Sequence, residues 1–288
     1  MRFGLIANLK RSGAQEAIDF FIRWAEKSGN QLILEEKLNK SFHNGNGVKF
    51  LSRNDIAKEI DILVSMGGDG TLLASARVVG ESGVPLLGIN LGSLGFLTQL
   101  SPQQLLPALD AIIKKEYNIE ERMLIKAEVP GIDTAESSYA LNDIVIDNGP
   151  VSRMIDISLS VNDENIVTYK ADGLIISTPT GSTAYSLAVG GPIMHPKMEA
   201  MIASPISAFS LTTRPMIFSA NDKLEVKVLS PDHPAQLTLD GQVMLPLTDN
   251  PKIIITKADF YSKFIVFPGN TFYKVLKSKL HWGFTPYS

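Results

Sequence analysis

The chain has 288 residues, 44% of them apolar and 20% charged, and its net charge is -3. That length predicts about two domains with room for real cores, and the near-neutral balance argues against a nucleic-acid partner. Cysteine is absent, which excludes disulfides, zinc–thiolate centres, iron–sulfur clusters and thiol nucleophiles and fits a reducing compartment.

Residues 2–8 read as an apolar first strand. The stretch from Met1 to Arg11 has too short an apolar run and the wrong charge order for a secretory signal. No stretch approaches the roughly 18 apolar residues of a membrane span, so a cytoplasmic protein that does not engage a membrane is expected. Ser12 is expected to cap a helix in which Ala14, Ala17, Ile18, Phe21, Ile22 and Ala25 recur at helical spacing, with Gly29 as its stop. Gln31 to Glu35 reads as a strand. After a polar loop, Ser41 to Gly47, come a short helix near Asn54 to Ile60, a strand from Asp61 to Met66, a helix from Thr71 to Gly80 and a strand from Val84 to Ile89. This alternation predicts a parallel sheet with helices on both faces.

A helical segment, Ser101 to Lys115, follows. From about residue 120 the pattern changes to short β-branched runs: Leu124 to Val129, Tyr139 to Ile146, Ile155 to Val161, Gly173 to Ser177, Leu224 to Val228, Gln236 to Leu239 and Lys252 to Thr256. Period-2 stretches such as Ile155, Ile157, Leu159 and Val161 suggest strands with one buried face. Thr271 to Leu280 reads as a last helix. The expected architecture is therefore a Rossmann-like α/β domain over residues 1–118, with residues 270–288 packing back on it, and a β-rich, sandwich-type domain over residues 119–269.

Ser65-Met66-Gly67-Gly68-Asp69-Gly70-Thr71 is the first chemical signal. It reads as strand, glycine turn with one carboxylate, and helix start, where the backbone can approach a ligand closely and free N–H groups favour phosphate. The bland alternative is that Asp69 or Thr71 merely caps the helix. A second glycine turn, Gly88 to Leu97, follows the next strand and contains Gly92 and Gly95. Both turns should meet at the carboxyl edge of a parallel sheet, where ligands bind. Phe96 beside them is of a type that is more often core than a ligand platform. No G-x-x-x-x-G-K-[ST] loop occurs, and Gly68-x-Gly70-x-x-Leu73 lacks the third glycine of the dinucleotide fingerprint.

In the β-rich half, Asn142-Asp143 sits in an apolar stretch. Adjacent strand residues point to opposite faces, so at least one should face the interior or a cleft, unless the pair marks a strand start or bulge. The segment Lys170 to Ser186, followed by Gly190-Gly191-Pro192, is dense in hydroxyls and glycine, with donors and acceptors suited to a ribose or a base edge. Ser182 and Thr183 can equally be caps. Thr238-Leu239-Asp240-Gly241-Gln242 can be a plain hairpin turn. The histidines, His43, His195, His233 and His281, show no ligand spacing, so neither a metal cage nor a Ser-His-Asp triad is indicated. Any metal is expected to be Mg²⁺ arriving with substrate phosphates.

Taken in order, Gly67-Gly68-Asp69-Gly70-Thr71, Asn90-x-Gly92-x-Leu94-Gly95-Phe96, Leu141-Asn142-Asp143, Asp172-Gly173 with Thr180-Gly181-Ser182-Thr183-Ala184-Tyr185, and Asp240-Gly241-Gln242 resemble the NAD kinases, from about Asp61 to Gln242. Gly-Gly-Asp-Gly alone is shared with phosphofructokinases and with diacylglycerol and sphingosine kinases. The Thr180 to Tyr185 turn and the Asn-Asp pair single out this family. The resemblance implies transfer of the ATP γ-phosphoryl to the 2′-hydroxyl of the adenosine ribose of NAD, giving NADP, with Mg²⁺ delivered by ATP. It implies that Asp69 contacts that ribose as base or positioner while Gly67, Gly68 and Gly70 hold phosphates. Asn142 and Asp143 would contact NAD, Thr183-Ala184-Tyr185 its adenine side and Asp172 its nicotinamide side, with Asp240 lining the same cleft. Phe96, Thr180, Ser182 and Gln242 complete the implied binding set. Many members carry Glu where Asp143 stands, so this carboxylate is one methylene shorter. The implied partners are NAD and ATP, or inorganic polyphosphate as donor, in a homodimer or homotetramer. A noncatalytic NAD or NADP sensor and a lipid or sugar kinase of the same superfamily are the rival readings. Arg77 and Lys10-Arg11 are candidate phosphate contacts or solvated surface charges.

Overall fold

The computed structural model describes residues 1–42, 48–92, 95–98, 100–131, 138–149, 153–230, 235–248, 251–269 and 271–281. The chain forms two compact units, Met1–Glu121 together with the segment from Ser262 on, and Arg122–Tyr261.

The first unit begins with β1 (Arg2–Ala7) and α1 (Ala14–Ser28). Asn8 makes the turn between them: its side chain accepts from the Lys10 N–H at 3.1 Å and its carbonyl accepts from the Arg11 N–H at 3.1 Å. Ser12 is not the cap of α1. That place falls to Gly13, which takes φ 76° and supplies no side-chain cap, because the tight turn needs a left-handed residue before the helix. The helix stops as expected at Gly29, whose left-handed backbone lets its N–H reach the Ala25 and Glu26 carbonyls. Its apolar stripe packs Phe21 and Trp24 against Phe3, with ring centroids 5.8 and 5.4 Å apart.

Next come β2 (Gln31–Glu35), β3 (Lys49–Leu51), α2 (Arg53–Glu59), β4 (Ile62–Gly67), α3 (Asp69–Val79), β5 (Leu86–Asn90) and α4 (Leu105–Ile113). The strands are parallel in the order β3-β2-β1-β4-β5. Leu87 and Ile89 face the cluster that holds α1 and α4. The intervening Gly88 faces Leu72 of α3, where a Cβ would meet Cδ2 at 3.0 Å, so helices cover both faces as expected. The chain order reverses on either side of β1, and such a switch point opens a crevice at the carboxyl ends of β1 and β4. Gly67 and Asn90 are paired in register, so the two glycine turns leave the sheet side by side.

From β6 (Asn118–Glu128) the chain enters the second unit. It continues through β7 (Tyr139–Ala140), β8 (Asp143–Asp147), β9 (Ile155–Val161), β10 (Glu164–Ala171), β11 (Gly173–Ser177), the short α5 (Tyr185–Ala188), β12 (Ala200–Ile206), β13 (Met216–Ser219), β14 (Leu224–Val228), β15 (Ala235–Leu239), β16 (Val243–Leu247) and the long β17 (Lys252–Val266). One antiparallel layer runs β13-β12-β11-β8-β15-β16, and a second contains β10-β9-β14 and the first half of β17. Ile144, Ile146, Leu174 and Ile176 of the first layer and Ile157, Leu159, Leu224, Val226 and Ile255 of the second form one buried cluster. This is the sandwich expected for the β-rich half. The end of β17 pairs with β5 through Phe264 and Leu86 in the first unit, and α6 (Phe272–Leu280) follows, capped by Thr271, whose side chain accepts from the Lys274 N–H.

The strands β3, β10, β13 and β16, short or outward-facing, escaped the pattern reading, and so did β12, which is buried along almost its whole length. The stretch Tyr139 to Ile146 is two strands, not one, interrupted at Leu141-Asn142. The interruption is made by the Asp240 carboxylate, which accepts from the Leu141, Asn142 and Asp143 N–H groups.

Within the sandwich core, Tyr169 is buried among aliphatic side chains, and its hydroxyl has no hydrogen-bond partner among the described residues. An unpaired buried hydroxyl costs about 1–3 kcal/mol. Tyr169→Phe is therefore expected to raise the unfolding midpoint in a thermal melt, and a lowered midpoint would show that the hydroxyl is satisfied in solution.

Candidate functional site

In the first unit the site is built on the turn after β4. Helix α3 starts at Asp69, two residues before the expected Thr71, and Gly68 at its N-cap is extended and gives no side-chain cap. Neither Asp69 nor Thr71 is therefore the cap of the bland reading. A Cβ on Gly67 would stand 2.2 Å from Thr71 Oγ1, so only glycine lets α3 leave the strand so tightly. Gly70 has open space around it.

The Asp69 carboxylate turns toward the second glycine turn. Its Oδ2 accepts from the Phe96 N–H at 2.8 Å, and its Oδ1 accepts from the Leu97 N–H at 3.2 Å, the Thr98 N–H at 2.9 Å and the Thr98 hydroxyl at 2.9 Å. A carboxylate has roughly four acceptor positions. Among the described residues Oδ1 takes three of these donors and Oδ2 one, which leaves Oδ2 the less crowded oxygen for an incoming hydroxyl. Gly95 must be glycine for this approach, since its Cβ would lie 1.9 Å from Oδ1. Buried Asn90 ties the same loop down, donating to Thr98 Oγ1 at 2.7 Å and accepting from the Gly92 N–H at 2.7 Å. Phe96 contributes its backbone N–H here and is half-buried. Thr98 was not singled out from sequence, because a lone threonine carries no local signal of its partner.

The guanidinium of Arg11 lies over both turns: a Cβ on Gly68 would meet its Nη2 at 3.7 Å and one on Gly92 its Nη1 at 3.6 Å. The two glycines thus leave room for a cation beside the Asp69 turn.

In the second unit, Asn142, Asp143, the turn from Thr178 to Tyr185 and Asp240 gather at one end of the six-stranded layer. Ser177 pairs with Asp143 and Leu239 with Ile144, which brings the end of β11, the start of β8 and the end of β15 to one edge. The β15–β16 connection is a hairpin in which Asp240 and Gly241 take φ 51° and 64°. Its carboxylate has a second task. It accepts from the backbone N–H groups of Leu141, Asn142 and Asp143 at 3.1, 2.7 and 3.3 Å. This clamp interrupts the strand, so Asn142 is not a strand residue and the pair marks a strand start. The Asn142 carbonyl then accepts from the Thr178 N–H at 2.9 Å, and the Thr178 hydroxyl donates to the Leu141 carbonyl at 2.6 Å.

Gly181 presses against this segment, where a Cβ would stand 2.1 Å from the Asn142 carbonyl oxygen. Ser182 is fully buried; its hydroxyl donates to the Pro179 carbonyl at 2.6 Å and accepts from the Met194 N–H at 3.0 Å, holding the turn. Thr180 is buried beside the Arg122 guanidinium, while Thr183 and Ala184 are half-buried and Tyr185 exposed. Gln242 is exposed on the hairpin. Asp172 is not part of this gathering: it precedes β11 at the opposite end from Thr178, roughly 20 Å of extended chain away.

Asp143 is buried, and loss of solvation followed by the nearby Asp240 charge pushes its carboxyl up to about 7, opposed by a hydrogen bond from the Tyr185 N–H. The unfolded chain gives up this proton near the ordinary carboxylate pKa of about 4, and the folded chain keeps it to about 7, so this group's contribution falls as pH rises between those values. Asp143→Asn is expected to become more stable relative to the parent from pH 5 to pH 8, by up to about 2.7 kcal/mol. Melting curves at the two pH values check this, and a constant difference would place the proton elsewhere.

Among the described residues no three His, Asp or Glu side chains are grouped to hold a metal, and no helix is long and apolar enough to cross a membrane. His43 and His233 lie outside the described residues.

Residues 3–117 match the family model of the ATP-NAD kinase N-terminal domain and residues 141–267 that of the ATP-NAD kinase C-terminal domain. An NAD kinase of Citrifermentans bemidjiense is 38% identical over 98% of this chain and 99% of its own length. One from Moorella thermoacetica is 39% identical over 98% of this chain and 90% of its own. In fold, the chain is similar to yeast NADH kinase complexed with NADH (TM-score 0.88, 24% identity, covering 99% of this chain and 89% of that one). It is also similar to an NAD kinase from Archaeoglobus fulgidus in complex with ATP (TM-score 0.78, 24% identity, covering 98% and 99%). Two domain models that together span most of the sequence, and relatives aligned nearly end to end, agree with the paired glycine turns: the chain belongs to the ATP-NAD kinase family.

Proposed function

We propose that this chain transfers the γ-phosphoryl group of ATP to the 2′-hydroxyl of the adenosine ribose of NAD, giving NADP and ADP. The observation that carries the reading is the Asp69 carboxylate, fixed at the start of α3 by four donors among the described residues, only one of which reaches Oδ2. Phosphoryl transfer through a loose transition state depends on alignment and charge neutralisation more than on a strong base. Asp69 accepts the 2′-hydroxyl proton's hydrogen bond and holds that oxygen in line. As the 2′-oxygen–phosphorus bond forms, the bond to the ADP oxygen breaks, and the hydroxyl proton passes to Asp69 or to solvent.

Arg11 and the backbone of the Gly67–Gly70 turn oppose the phosphate charge. Mg²⁺ delivered with ATP would be held by phosphate oxygens and water, and when bound it would neutralise phosphate charge. On the NAD side, the Asp240-clamped segment presents Asn142, and the turn presents Thr183, Ala184 and Tyr185 to the adenosine. Asp172, at the other end of β11 from this turn, is the residue assigned to the nicotinamide side, the far end of the dinucleotide from the adenosine.

The test is a coupled assay in which purified protein, Mg²⁺, ATP and NAD are mixed and NADP is read with an NADP-specific dehydrogenase. NADP formation dependent on ATP and metal is expected, and NAD lacking the 2′-hydroxyl should bind without reacting. Phosphorylation of that analogue would move the acceptor elsewhere.

A further inference from the structure

Thr98 is fully buried, and its hydroxyl touches the Asp69 carboxylate. Both branches of this side chain are held. The methyl lies against β5, where a Cβ on Gly88 would meet it at 3.2 Å, and the hydroxyl lies beside the second glycine turn, where a Cβ on Gly95 would meet Oγ1 at 2.5 Å. A β-branched side chain gripped in this way keeps one χ1 rotamer.

The hydrogen bonds through that hydroxyl run in one direction. The Gly92 N–H can only donate, and it donates to Asn90 Oδ1 at 2.7 Å, so the amide nitrogen of the same side chain faces Thr98. That nitrogen can only donate too, and it reaches Thr98 Oγ1 at 2.7 Å. The Thr98 oxygen is thus the acceptor there, and its one proton is left for Asp69 Oδ1 at 2.9 Å. Asn90 is itself buried, and its own N–H donates to the Leu100 carbonyl at 2.7 Å, so the series starts from a fixed point at the end of β5. The other three donors to Asp69 are backbone N–H groups of Phe96, Leu97 and Thr98, which move with their loop. The hydroxyl is the one donor tied through a side chain to the sheet.

We propose that Thr98 is a positioning residue for the phosphoryl transfer: oriented by Asn90, its hydroxyl holds Asp69 Oδ1 and so sets the rotation of the carboxylate whose Oδ2 meets the acceptor hydroxyl. The proposal rests on the kinase reading above and names the residues that aim its carboxylate. In-line transfer is sensitive to such aim, since a misplacement of about 1 Å can cost two orders of magnitude.

Thr98→Val keeps the shape and the packed methyl and removes the proton. In steady-state kinetics with NAD and ATP varied in turn, its kcat is expected to fall at least roughly tenfold while both KM values stay within about twofold. Thr98→Ser keeps the hydroxyl and loses the methyl, and its kcat is expected to stay within about threefold of the parent. A role in packing alone predicts the reverse order, because serine gives up the contact that valine retains. In an Asp69→Asn background, Thr98→Val is expected to cost less than about twofold more, since residues that act through one another do not add. Thr98→Ala, which adds no bulk, takes the place of the valine variant if that one does not fold. A kcat at the parent level without the hydroxyl, a serine variant as slow as the valine one, or a full additive loss in the Asp69→Asn background would overturn the assignment. A parent that makes NADP, with variants that turn over as it does, keeps the kinase reading and loses this one, whereas a parent that makes no NADP loses both.

Discussion

Replacing Asp69 by Asn is expected to lower kcat at least roughly a hundredfold, in line with loss of a transition-state positioner, while NAD still binds. The geometry adds a second expected effect. The four donors from Phe96, Leu97 and Thr98 meet a carboxylate, and an amide can present only one oxygen to them. If that oxygen takes the crowded Oδ1 position, the amide nitrogen faces the Phe96 N–H, donor against donor. Losing one hydrogen bond to a charged acceptor costs about 1.5–3 kcal/mol. The variant should thus melt earlier than the parent and turn over slowly even when saturated with both substrates. An unchanged kcat would remove Asp69 from the mechanism. A slow variant with unchanged melting would show that the second glycine turn does not depend on this carboxylate.

Gly181→Ala should damage the NAD side of the reaction without touching the Asp69 turn. The added methyl would stand 2.1 Å from the Asn142 carbonyl oxygen and 2.7 Å from its Cα, and backbone atoms cannot rotate away as a flexible side chain can. The turn must move. Overpacking of this kind costs about 1–3 kcal/mol, and the displacement carries Thr183, Ala184 and Tyr185 with it. Because misplacement by about 1 Å can cost two orders of magnitude in a positioned reaction, KM for NAD is expected to rise at least roughly tenfold. KM for ATP is expected to change far less. Steady-state kinetics with each substrate varied in turn separates these, and a normal KM for NAD would show that the turn does not hold the acceptor.

The strand–turn–helix at Gly67 to Thr71 was legible because its signals are local. Apolar periodicity, a glycine pair and a helix start lie within a few residues, and backbone sterics at each glycine act on immediate neighbours. The same holds for the Gly29 stop and for the Asp240-Gly241 hairpin, whose positive φ angles suit those residue types. Strands such as β12 and β13 were not legible. β13 is short, exposed and apolar, and lies at the edge of its layer, so its residues show no alternation to detect.

The sequence by itself determined the two halves, the paired turns at the edge of a parallel sheet and the residue types available for phosphate and nucleotide chemistry. Only the tertiary structure decided what those residues do to one another. Asp69 meets donors 27 to 29 residues away, and Asp240 clamps backbone 97 to 99 residues away. Asp143 is held near neutrality by burial and by Asp240, and Asp172 is carried to the far end of β11. The physical reason is common to all four. Backbone conformation is set by neighbours along the chain, whereas desolvation, charge and hydrogen-bond partnership are set by neighbours in space, which chain order does not reveal.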